Sequence, residues 1–349
     1  MTPGVTMRFI EFPKRVSRRK NKLDGFVFSS RVRIARNLEG LRFPHFLKDK
    51  ERLDIDEKLT EKIKDVSGQI NITSFDELPQ NQVMVYAGSN VITQEFIRNG
   101  RKMISDPAGD WVILINEDDH LRIISIEKGY DIKKMYQRLS EILFGIEEKV
   151  DFAFDEKWGY LTSSILNIGT GLRLSVLVNL YGMMANKQIQ AFIESVNSIG
   201  YSVINAGGEK SACGLYFVSN IYSIGLSEDD MVSEFEEMIS RLYHLEMDLR
   251  NEYFAKKQER EIVFEEIFEL KNRDRINWSD MLYYVSLIDS LSDKYVTIGD
   301  REALRDLVQT ATDNYLVHRN NVSPEIIPFQ RMDMLKKTVS QMKYKSVGE

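Results

Sequence analysis

The sequence predicts an α+β protein in which a sheet-containing domain is followed by an all-helical domain. Strand-like and helix-like segments, separated by glycines, follow one another from about residue 26 to residue 225. After Gly225 the pattern changes, because the stretch from Glu228 to Asn272 contains no glycine or proline and repeats apolar residues at helical spacing. We therefore predict a basic leader at 1–25, a first domain at 26–254 and a helical domain at 255–349.

The first predicted strand contains the segment Ser29–Asn37, which reads S-S-R-V-R-I-A-R-N and follows the apolar run Phe26–Phe28. Arg31 and Arg33 alternate with apolar residues, so in a strand both would leave the same face, roughly 6.6 Å apart. Two guanidinium groups at this spacing can bind neighbouring phosphates. A half-exposed strand with solvated charges is the alternative interpretation, and this segment alone does not decide between the two.

A β-hairpin is predicted next, over residues 111–126. The apolar stretches Trp111–Asn116 and His120–Ile126 are separated only by Glu117–Asp119, a polar three-residue turn. The tip of the hairpin therefore concentrates acidic groups, and Arg122 projects from the returning strand. A turn that merely exposes its acids to solvent is the alternative.

The remaining elements of the first domain are predicted from glycines and apolar patterns. A loop with three glycines spans 159–171 and leads into the segment Leu172–Val178, on which Arg173, Ser175 and Leu177 share a face if the chain is extended. The elements after it are a short amphipathic helix over 187–200, a strand at Tyr201–Asn205, a glycine turn at Ala206–Glu209 and a strand at Leu215–Ile221.

Composition limits the class of protein and its surroundings. With 349 residues, 43% hydrophobic and 29% charged, the chain has the composition of a soluble globular protein, and a net charge of −6 does not indicate nucleic-acid binding. The single cysteine, Cys213, excludes an internal disulfide and a cysteine-based zinc site. No apolar run has the length of a membrane span, and no secretory signal is evident, so we expect a reducing cytoplasmic location.

In their order and spacing these segments resemble the ATP:guanidino phosphotransferases, and among them the bacterial protein-arginine kinases. The matching runs are S-S-R-V-R-I-A-R-N at 29–37, N-E-D-D-H-L-R at 116–122, Asp155-Glu156 with G-Y-L-T-S at 159–163, N-I-G-T-G-L-R at 167–173, Gly208-Glu209 and Ser219-Asn220. The resemblance covers about 26–255 and extends loosely into the C-terminal helices. It implies a large antiparallel sheet flanked by helices, then a helical domain that supports dimerisation in relatives.

The resemblance also implies a site for ATP and for an arginine acceptor. Arginines neutralise the triphosphate, with Mg²⁺ bound through the nucleotide and not by protein side chains, while two carboxylates orient the acceptor guanidinium and take a proton from it. The implied ATP-binding residues are Ser29, Ser30, Arg31, Val32, Arg33, Arg122, Arg173, Leu174, Ser175, Val176, Leu177, Gly207 and Gly208. The implied catalytic residues are Asp118 and Glu209, as the paired carboxylates, with Glu117 and Ser164.

Several positions depart from the family pattern. Asp118 stands where the family has glutamate, which removes about 1 Å of reach at a place where such a shift can cost about a hundredfold in rate. Ser164 replaces a reactive cysteine and does not form a thiolate near neutral pH. Ile204, within one residue of alignment, falls on a fifth phosphate-binding arginine, and Ser89 falls on a histidine near the adenine or ribose. Of a C-terminal phosphoarginine-binding motif only Arg331 remains.

The expected function is that of an ATP-dependent protein-arginine kinase, which transfers the γ-phosphoryl group of MgATP to arginine side chains of proteins. The alternative is a catalytically impaired, nucleotide-binding pseudokinase that acts as a regulatory or scaffold subunit, since the departures fall on the catalytic positions. A kinase of free guanidino amino acids fits the pattern less well. The partners implied by the resemblance are a second copy of the chain, arginine-bearing protein substrates, a zinc-binding activator protein, a heat-shock repressor and a Clp-type unfoldase, with no nucleic acid and no membrane.

Overall fold

The computed structural model describes residues 22–88, 92, 96, 101–292 and 294–345. Most of the predicted leader and Ser89 lie outside the described residues. The strands are β1 (Val27–Arg36), β2 (Asn71–Ser74), β3 (Lys102–Ser105), β4 (Val112–Ile115), β5 (Leu121–Lys128), β6 (Phe154–Asp155), β7 (Gly159–Tyr160), β8 (Leu172–Asn179), β9 (Tyr201–Asn205), β10 (Leu215–Asn220), β11 (Val296–Thr297) and β12 (Lys343–Tyr344). The α-helices are α1 (Asp49–Ser67), α2 (Gln80–Gly88), α3 (Ile132–Glu147), α4 (Tyr181–Ala185), α5 (Ile189–Ser198), α6 (Glu228–Ala255), α7 (Lys257–Glu269), α8 (Trp278–Leu291), α9 (Arg301–Thr310), α10 (Asp313–His318) and α11 (Ile327–Val339).

The main sheet contains eight of the described strands, in the order β2-β3-β4-β5-β1-β8-β10-β9. Neighbouring strands pair antiparallel from β2 through β5 to β1, and from β8 through β10 to β9. The bonds from the Ala35 N–H to the Gly171 carbonyl and from the Asn179 N–H to the Phe26 carbonyl show that β1 and β8 are antiparallel as well. The predicted large antiparallel sheet is therefore confirmed. The predicted hairpin is β4–β5, closed by the Asn116 N–H on the His120 carbonyl at 3.0 Å.

The two faces of β1 follow from its alternating sequence. Val32 and Ile34 are fully buried, whereas Arg31 and Arg33 are only half-buried. Because successive residues of a strand point to opposite faces, the apolar residues enter the core while the arginines remain together on the other face.

Two compact units divide the chain, and the division passes through β1 and β8. Among the described residues the first unit consists of Ser29–Arg173 and Ser223–Glu228; the second consists of the residues up to Phe28, Leu174–Tyr222 and the chain from Asp229 onward. This division follows a different line from the predicted domain boundary between residues 254 and 255, which stays a prediction.

Each unit has its own apolar core. In the first unit, Phe75 packs edge-on against Phe96, with ring centroids 5.6 Å apart, beside buried residues of β3, β4 and β5. In the second unit the core surrounds α8, whose residues from Met281 to Leu291 are all buried except the half-buried Tyr283. A buried carboxylate in this helix, Asp289, accepts hydrogen bonds from Arg301 and Arg305 at 2.8 and 2.9 Å. Arg305 also donates to the Gly25 carbonyl at 2.8 Å, which attaches the residues before β1 to the helices of this unit.

The helix-compatible stretch from Glu228 to Asn272 contains two α-helices with a break between them. Helix α6 ends at Ala255, Lys256 has an extended backbone with φ −72° and ψ 114°, and α7 begins at the next residue. Arg260 stabilises the break, because its Nη1 donates to the carbonyl oxygens of Phe254 and Ala255 at 2.6 and 2.8 Å and so satisfies groups left at the helix end.

The C-terminal region is otherwise helical as predicted, except for the β11–β12 pair, which the sequence pattern did not indicate. Among the residues that the structure describes, no helix combines the length and the apolar character needed to cross a membrane.

Candidate functional site

Arginines from two neighbouring strands converge on one face of the sheet in the first unit. Residues directly opposite one another in an antiparallel pair point to the same face, and Arg122 of β5 lies opposite Ala35 of β1. Arg122 therefore shares its face with Arg31 and Arg33, which precede Ala35 by four and two residues. Arg173, at the start of β8, is close enough to lower the pKa of both β1 arginines by charge repulsion. The four predicted phosphate-binding arginines thus form one cluster.

Burial and the charges of neighbouring arginines lower the pKa of Arg31 and Arg33 in this cluster. The pKa of Arg33 is lowered to about 9, first by burial and then by the charges of Arg122 and Arg31. The pKa of Arg31 is lowered to about 10, again chiefly by burial, with Arg122 adding to the effect and Glu117 opposing it. Burial also lowers the pKa of Arg173. A polyanion placed among these groups would offset the repulsion and favour their charged forms.

The hairpin tip supplies the acidic partners of the cluster. Arg122 forms ion pairs with Glu117 and, at 2.7 Å, with Asp118. The two acids differ in exposure, since the Glu117 side chain is 1% exposed and the Asp118 side chain is 61% exposed. Glu117 therefore serves as a buried counter-ion, while the carboxylate of Asp118 can be reached from solvent.

As far as the structure describes the chain, two buried donors of the arginine cluster lack hydrogen-bond partners. The Nε atoms of Arg33 and Arg122 are buried and have no hydrogen-bond partner among the described residues. Buried donors are almost always satisfied in folded proteins. Because both donors belong to the arginine cluster, the residues present fit a bound polyphosphate such as that of ATP. Within the described part of the chain, no group of three or more His, Cys, Asp or Glu residues is placed to hold a metal ion.

The loop before β8 contacts both the arginines and the hairpin tip. Asn167 accepts a hydrogen bond from Nη2 of Arg33 at 3.2 Å. Ser163 donates its hydroxyl to the Asp118 carbonyl at 2.6 Å and its N–H to the Asp119 carboxylate at 2.7 Å. Ser164 is half-buried, and its carbonyl accepts from the Thr162 hydroxyl at 2.8 Å. Asn167 stands in a run that matches the family, but it was not among the predicted site residues.

A buried polar network behind the tip was missed by the sequence analysis. Asn37 donates to the Asp119 carboxylate at 2.7 Å and accepts the N–H of His120 at 2.9 Å. His120 is fully buried, accepts the Leu38 N–H on Nδ1 at 3.1 Å, and has its pKa lowered to about 4, mainly by burial. The only signal in the sequence was the adjacency of Asn37 to the arginine segment and of Asp119 and His120 to the acidic turn.

The other predicted ATP-binding residues on β1 are buried or half-buried in the fold. Ser30 is buried and donates its hydroxyl to the Gly129 carbonyl at 2.7 Å. Val32 is fully buried, on the face opposite the arginines, and Ser29 is half-buried.

The remaining predicted ATP-binding residues belong to the second unit. On β8, Leu174, Val176 and Leu177 are buried and Ser175 is half-buried; the Leu174 N–H donates to Asn220 at 2.7 Å. These residues are therefore held by strand pairing within the second unit.

The predicted glycine turn also belongs to the second unit. Asn205 organises it, because its side chain accepts the Gly207 N–H at 2.8 Å and its carbonyl accepts the Gly208 N–H at 3.1 Å. Gly208 has φ +94°, a conformation that favours glycine, and the Glu209 side chain that follows is exposed. Ile204, just before the turn, is an exposed residue of β9 opposite Phe217, and it brings no positive charge.

Arg331 lies in α11 and is buried. Its Nε donates to the Ala311 carbonyl at 2.7 Å, it pairs with Asp313, and its guanidinium lies 5.4 Å from the centroid of the Trp278 ring. Its predicted role in binding phosphoarginine stays a prediction.

Comparison with known proteins gives a consistent result. A family model described as the ATP:guanido phosphotransferase C-terminal catalytic domain matches residues 54–249. A protein-arginine kinase of Clostridium acetobutylicum is 28% identical over 337 residues, covering 93% of this chain and 96% of the relative. A protein-arginine kinase of Pelotomaculum thermopropionicum is 31% identical over 254 residues, covering 69% of this chain and 70% of the relative.

Solved structures resemble the chain in the same way. The duplicated taurocyamine kinase from Schistosoma mansoni, with bound transition-state-analogue components, has a TM-score of 0.59 and 25% identity, covering 70% of this chain. The present chain spans only 37% of that duplicated protein. Lombricine kinase has a TM-score of 0.56 at 24% identity, over 69% of this chain and 71% of its own, which supports the fold alone.

Proposed function

Because the chain belongs to the ATP:guanido phosphotransferase family, we propose that it is a protein-arginine kinase, which transfers the γ-phosphoryl group of ATP to arginine side chains of proteins. The observation that carries the proposal is the convergence of Arg31, Arg33, Arg122 and Arg173 in one charged cluster. Relatives named protein-arginine kinase support the choice of acceptor.

The cluster is suited to binding the triphosphate. In the free protein its charges repel one another and two buried Nε donors lack partners. Phosphate oxygens would accept hydrogen bonds from these donors in charge-assisted pairs, which are among the stronger hydrogen bonds in proteins. Asn167 holds Arg33 in place from the side. The arginines would also neutralise charge on the phosphoryl group during transfer, which is the main contribution of protein groups in such reactions.

The proposed reaction breaks the bond between the γ-phosphorus and the oxygen that bridges it to the β-phosphate. A bond forms between that phosphorus and a guanidinium nitrogen of the acceptor, ADP leaves, and the acceptor loses one proton. A guanidinium is protonated at neutral pH and is a poor nucleophile. A positioned carboxylate must therefore orient it and accept its proton.

Asp118 is our candidate for the carboxylate that takes the proton. In the free protein it is held by Arg122 at 2.7 Å. We propose that phosphate oxygens replace it as the partner of Arg122, so that nucleotide binding makes the carboxylate available to the acceptor. Glu117 would remain as the buried counter-ion of Arg122, and Glu209, on the turn after Gly208, is our candidate for the second carboxylate.

Mg²⁺ bound with the nucleotide would supply positive charge that stabilises the phosphoryl group being transferred. We propose that it is held through the nucleotide phosphates, without a dedicated set of protein ligands. From the family resemblance we also keep as proposals a cytoplasmic homodimer and partnership with a zinc-binding activator, a heat-shock repressor and a Clp-type unfoldase.

The test is phosphoarginine formation by the purified full chain, given MgATP and an unfolded arginine-rich protein and followed by ADP release and mass spectrometry. Arg33→Gln should lower the rate by about a hundredfold or more, by analogy with the loss of one donor to developing charge. Arg241→Gln is the matched control, because Arg241 lies on the surface of α6, is 78% exposed and pairs with Glu237.

The outcomes separate the candidate functions. ATP binding without phosphoarginine at any enzyme concentration would refute the kinase and support a nucleotide-binding pseudokinase. If ATP also fails to bind, both functions are refuted. Equal rates for Arg33→Gln and wild type would remove the arginine cluster from the reaction.

A further inference from the structure

A groove of about 550 Å³ in the first unit is separate from the arginine cluster. It lies between the C-terminal end of α3, the β6–β7 hairpin and the residues just before α6. Its volume is in the range of pockets that bind small ligands or single side chains of a partner. None of the residues assigned above to ATP or to the acceptor carboxylates lines it.

The charged groups on the floor of the groove are paired with one another. Arg36 lies 3.5 Å from the centroid of the Tyr160 ring and donates to Glu228 and to the Thr170 carbonyl, both at 2.7 Å. Gly169 keeps the backbone close, because a Cβ atom there would lie 2.2 Å from the Ser223 carbonyl oxygen. Because these charges are already paired, the floor does not need a bound ion to neutralise them.

The walls of the groove are apolar and exposed. Phe144 is 65% exposed and Trp158 is 48% exposed, on opposite elements that line the same space. Phe154, Ile224 and Leu226 are further exposed apolar residues of the lining. Asp155 holds the turn that presents Trp158, because its carboxylate accepts the N–H of that residue at 3.0 Å. Contiguous exposed apolar surface of this kind marks binding sites for other molecules.

The segment from Glu147 to Lys157, of which Glu147, Phe154 and Lys157 line the groove, forms its rim and carries more negative than positive exposed charge. The carboxylate of Glu147 accepts the Tyr160 hydroxyl at 2.8 Å. The exposed charged residues between positions 147 and 157 are Glu147, Glu148, Asp151 and Glu156 against Lys149 and Lys157. An apolar groove with an acidic rim is complementary to a polypeptide segment in which apolar residues lie beside basic ones.

The groove is joined to the arginine cluster by a short piece of chain. Gly169 and Thr170 line the groove, and Asn167, which accepts a hydrogen bond from Arg33, precedes Gly169 by two residues. Two residues span at most about 7 Å. Tyr160 and Gly169 exchange backbone hydrogen bonds at 2.8 and 3.2 Å, so this connection is fixed to the wall of the groove.

We propose that the groove is a docking site for protein substrates. It would bind an apolar segment between Phe144 and Trp158, with basic residues of the same segment against the acidic rim. This inference rests on the proposed function, since the acceptor of a protein-arginine kinase is itself a cationic polypeptide. It adds a surface that recognises the substrate away from the reacting arginine.

The experiment measures binding and turnover separately. The binding probe is a fluorescein-labelled peptide with a central arginine flanked by phenylalanine, leucine and lysine, and its dissociation constant is read by anisotropy without ATP. The acceptors for kinetics are the same peptide unlabelled and N-acetylarginine amide. The variants are Phe144→Ser and Trp158→Ser, and the matched control is Phe268→Ser, an exposed phenylalanine on α7 of the second unit.

Both groove variants should raise the dissociation constant of the labelled arginine peptide, and the KM of the same peptide unlabelled, about five- to tenfold. This is the loss expected for one partly buried apolar contact. Their KM for N-acetylarginine amide and for ATP should stay at the wild-type value, and kcat should change less than about twofold. Glu147→Gln should weaken peptide binding about two- to threefold and reduce its dependence on salt. Phe268→Ser should match wild type throughout.

An unchanged affinity for the labelled arginine peptide in both groove variants would overturn the inference. So would a change in sedimentation of Phe144→Ser with unchanged peptide affinity, because the groove would then join two copies of the chain. If wild type forms no phosphoarginine from either acceptor, the proposed function fails, but the anisotropy measurement still decides whether the groove binds the peptide.

Discussion

Replacing Arg33 by methionine is expected to stabilise the free protein and to weaken its binding of ATP. The opposite signs follow from the arginine cluster, in which burial, and then the charges of Arg122 and Arg31, disfavour the charged form of Arg33. Methionine has a similar length and no charge, so it removes the repulsion while keeping much of the packing. Replacing a residue that only stabilises the fold would not raise the stability of the free protein while weakening ATP binding.

The size of the stabilisation follows from the pKa of Arg33, which falls from 12.5 to about 9. One pKa unit corresponds to about 1.36 kcal/mol, so the charge costs the free fold at most about 5 kcal/mol. Screening by solvent and salt reduces this cost. The lost hydrogen bond to Asn167, 3.2 Å long, removes about 1 kcal/mol more. We therefore expect a net gain of about 1–2 kcal/mol at neutral pH.

The pH dependence has a definite sign. The pKa of Arg33 is lower in the folded than in the unfolded chain, so the penalty is fully present below about 9 and disappears as pH rises toward 12.5. The advantage of Arg33→Met over wild type should therefore be constant across neutral pH and should shrink in alkaline buffer.

The assay is thermal unfolding with and without MgATP. At an ATP concentration a hundred times the wild-type dissociation constant, the ligand adds about 2.7 kcal/mol to wild type and only about 0.4 kcal/mol to a variant that binds a hundredfold more weakly. Arg241→Met is the surface control. A variant less stable than wild type without nucleotide would refute the reasoning about repulsion. Equal stabilisation by ATP would refute the assignment of Arg33 to the phosphates.

Three further substitutions test other parts of the structure. Asp118→Asn should retain ATP binding and lower the rate of phosphoryl transfer by about 10²–10⁴-fold; an unchanged rate would remove this carboxylate from proton transfer. His120 has a pKa lowered to about 4, so wild type should lose stability as pH falls from 6.5 toward 4, because the unfolded chain binds a proton that the fold excludes. His120→Asn, which can still accept the Leu38 N–H, should lose about 2 kcal/mol less between pH 7 and 5 in urea titrations, and parallel profiles would contradict this. Asp289→Asn should cost about 3–5 kcal/mol in the same titrations by leaving Arg305 without its carboxylate, whereas a loss below about 1 kcal/mol would contradict a structural ion pair.

Elements with a strong local pattern were predictable from the sequence. The alternation in β1 and the two apolar stretches around Glu117–Asp119 led directly to the strand and the hairpin that the structure contains. The break at Lys256 was not predictable, because it is stabilised by the contact of Arg260 with carbonyl groups at the end of α6, and no proline or glycine marks it. The β11–β12 pair was missed because two-residue strands have too little periodicity to be recognised.

Some residues of the site could likewise be placed from the sequence, and others only from the tertiary structure. Arg31 and Arg33 could be placed on one face from their spacing alone, whereas the position of Arg122 depends on the register that sets it opposite Ala35. The pairing of Asn37 with Asp119 joins residues 82 positions apart, and only their chemistry, not their separation, was visible in the sequence.

By itself the sequence determined where the strongly patterned strands run, which residue types could bind phosphate, and which family the motifs resemble, because each of these depends on residues close together along the chain. The tertiary structure alone decided which charges share a space and how much water reaches them. It brought Arg173 to the β1 arginines, buried Glu117 while leaving Asp118 exposed, and formed a groove from α3, the β6–β7 hairpin and the residues before α6. Strand register and desolvation arise from contacts between distant segments, so they set the pKa values and the binding surfaces that no local pattern contains.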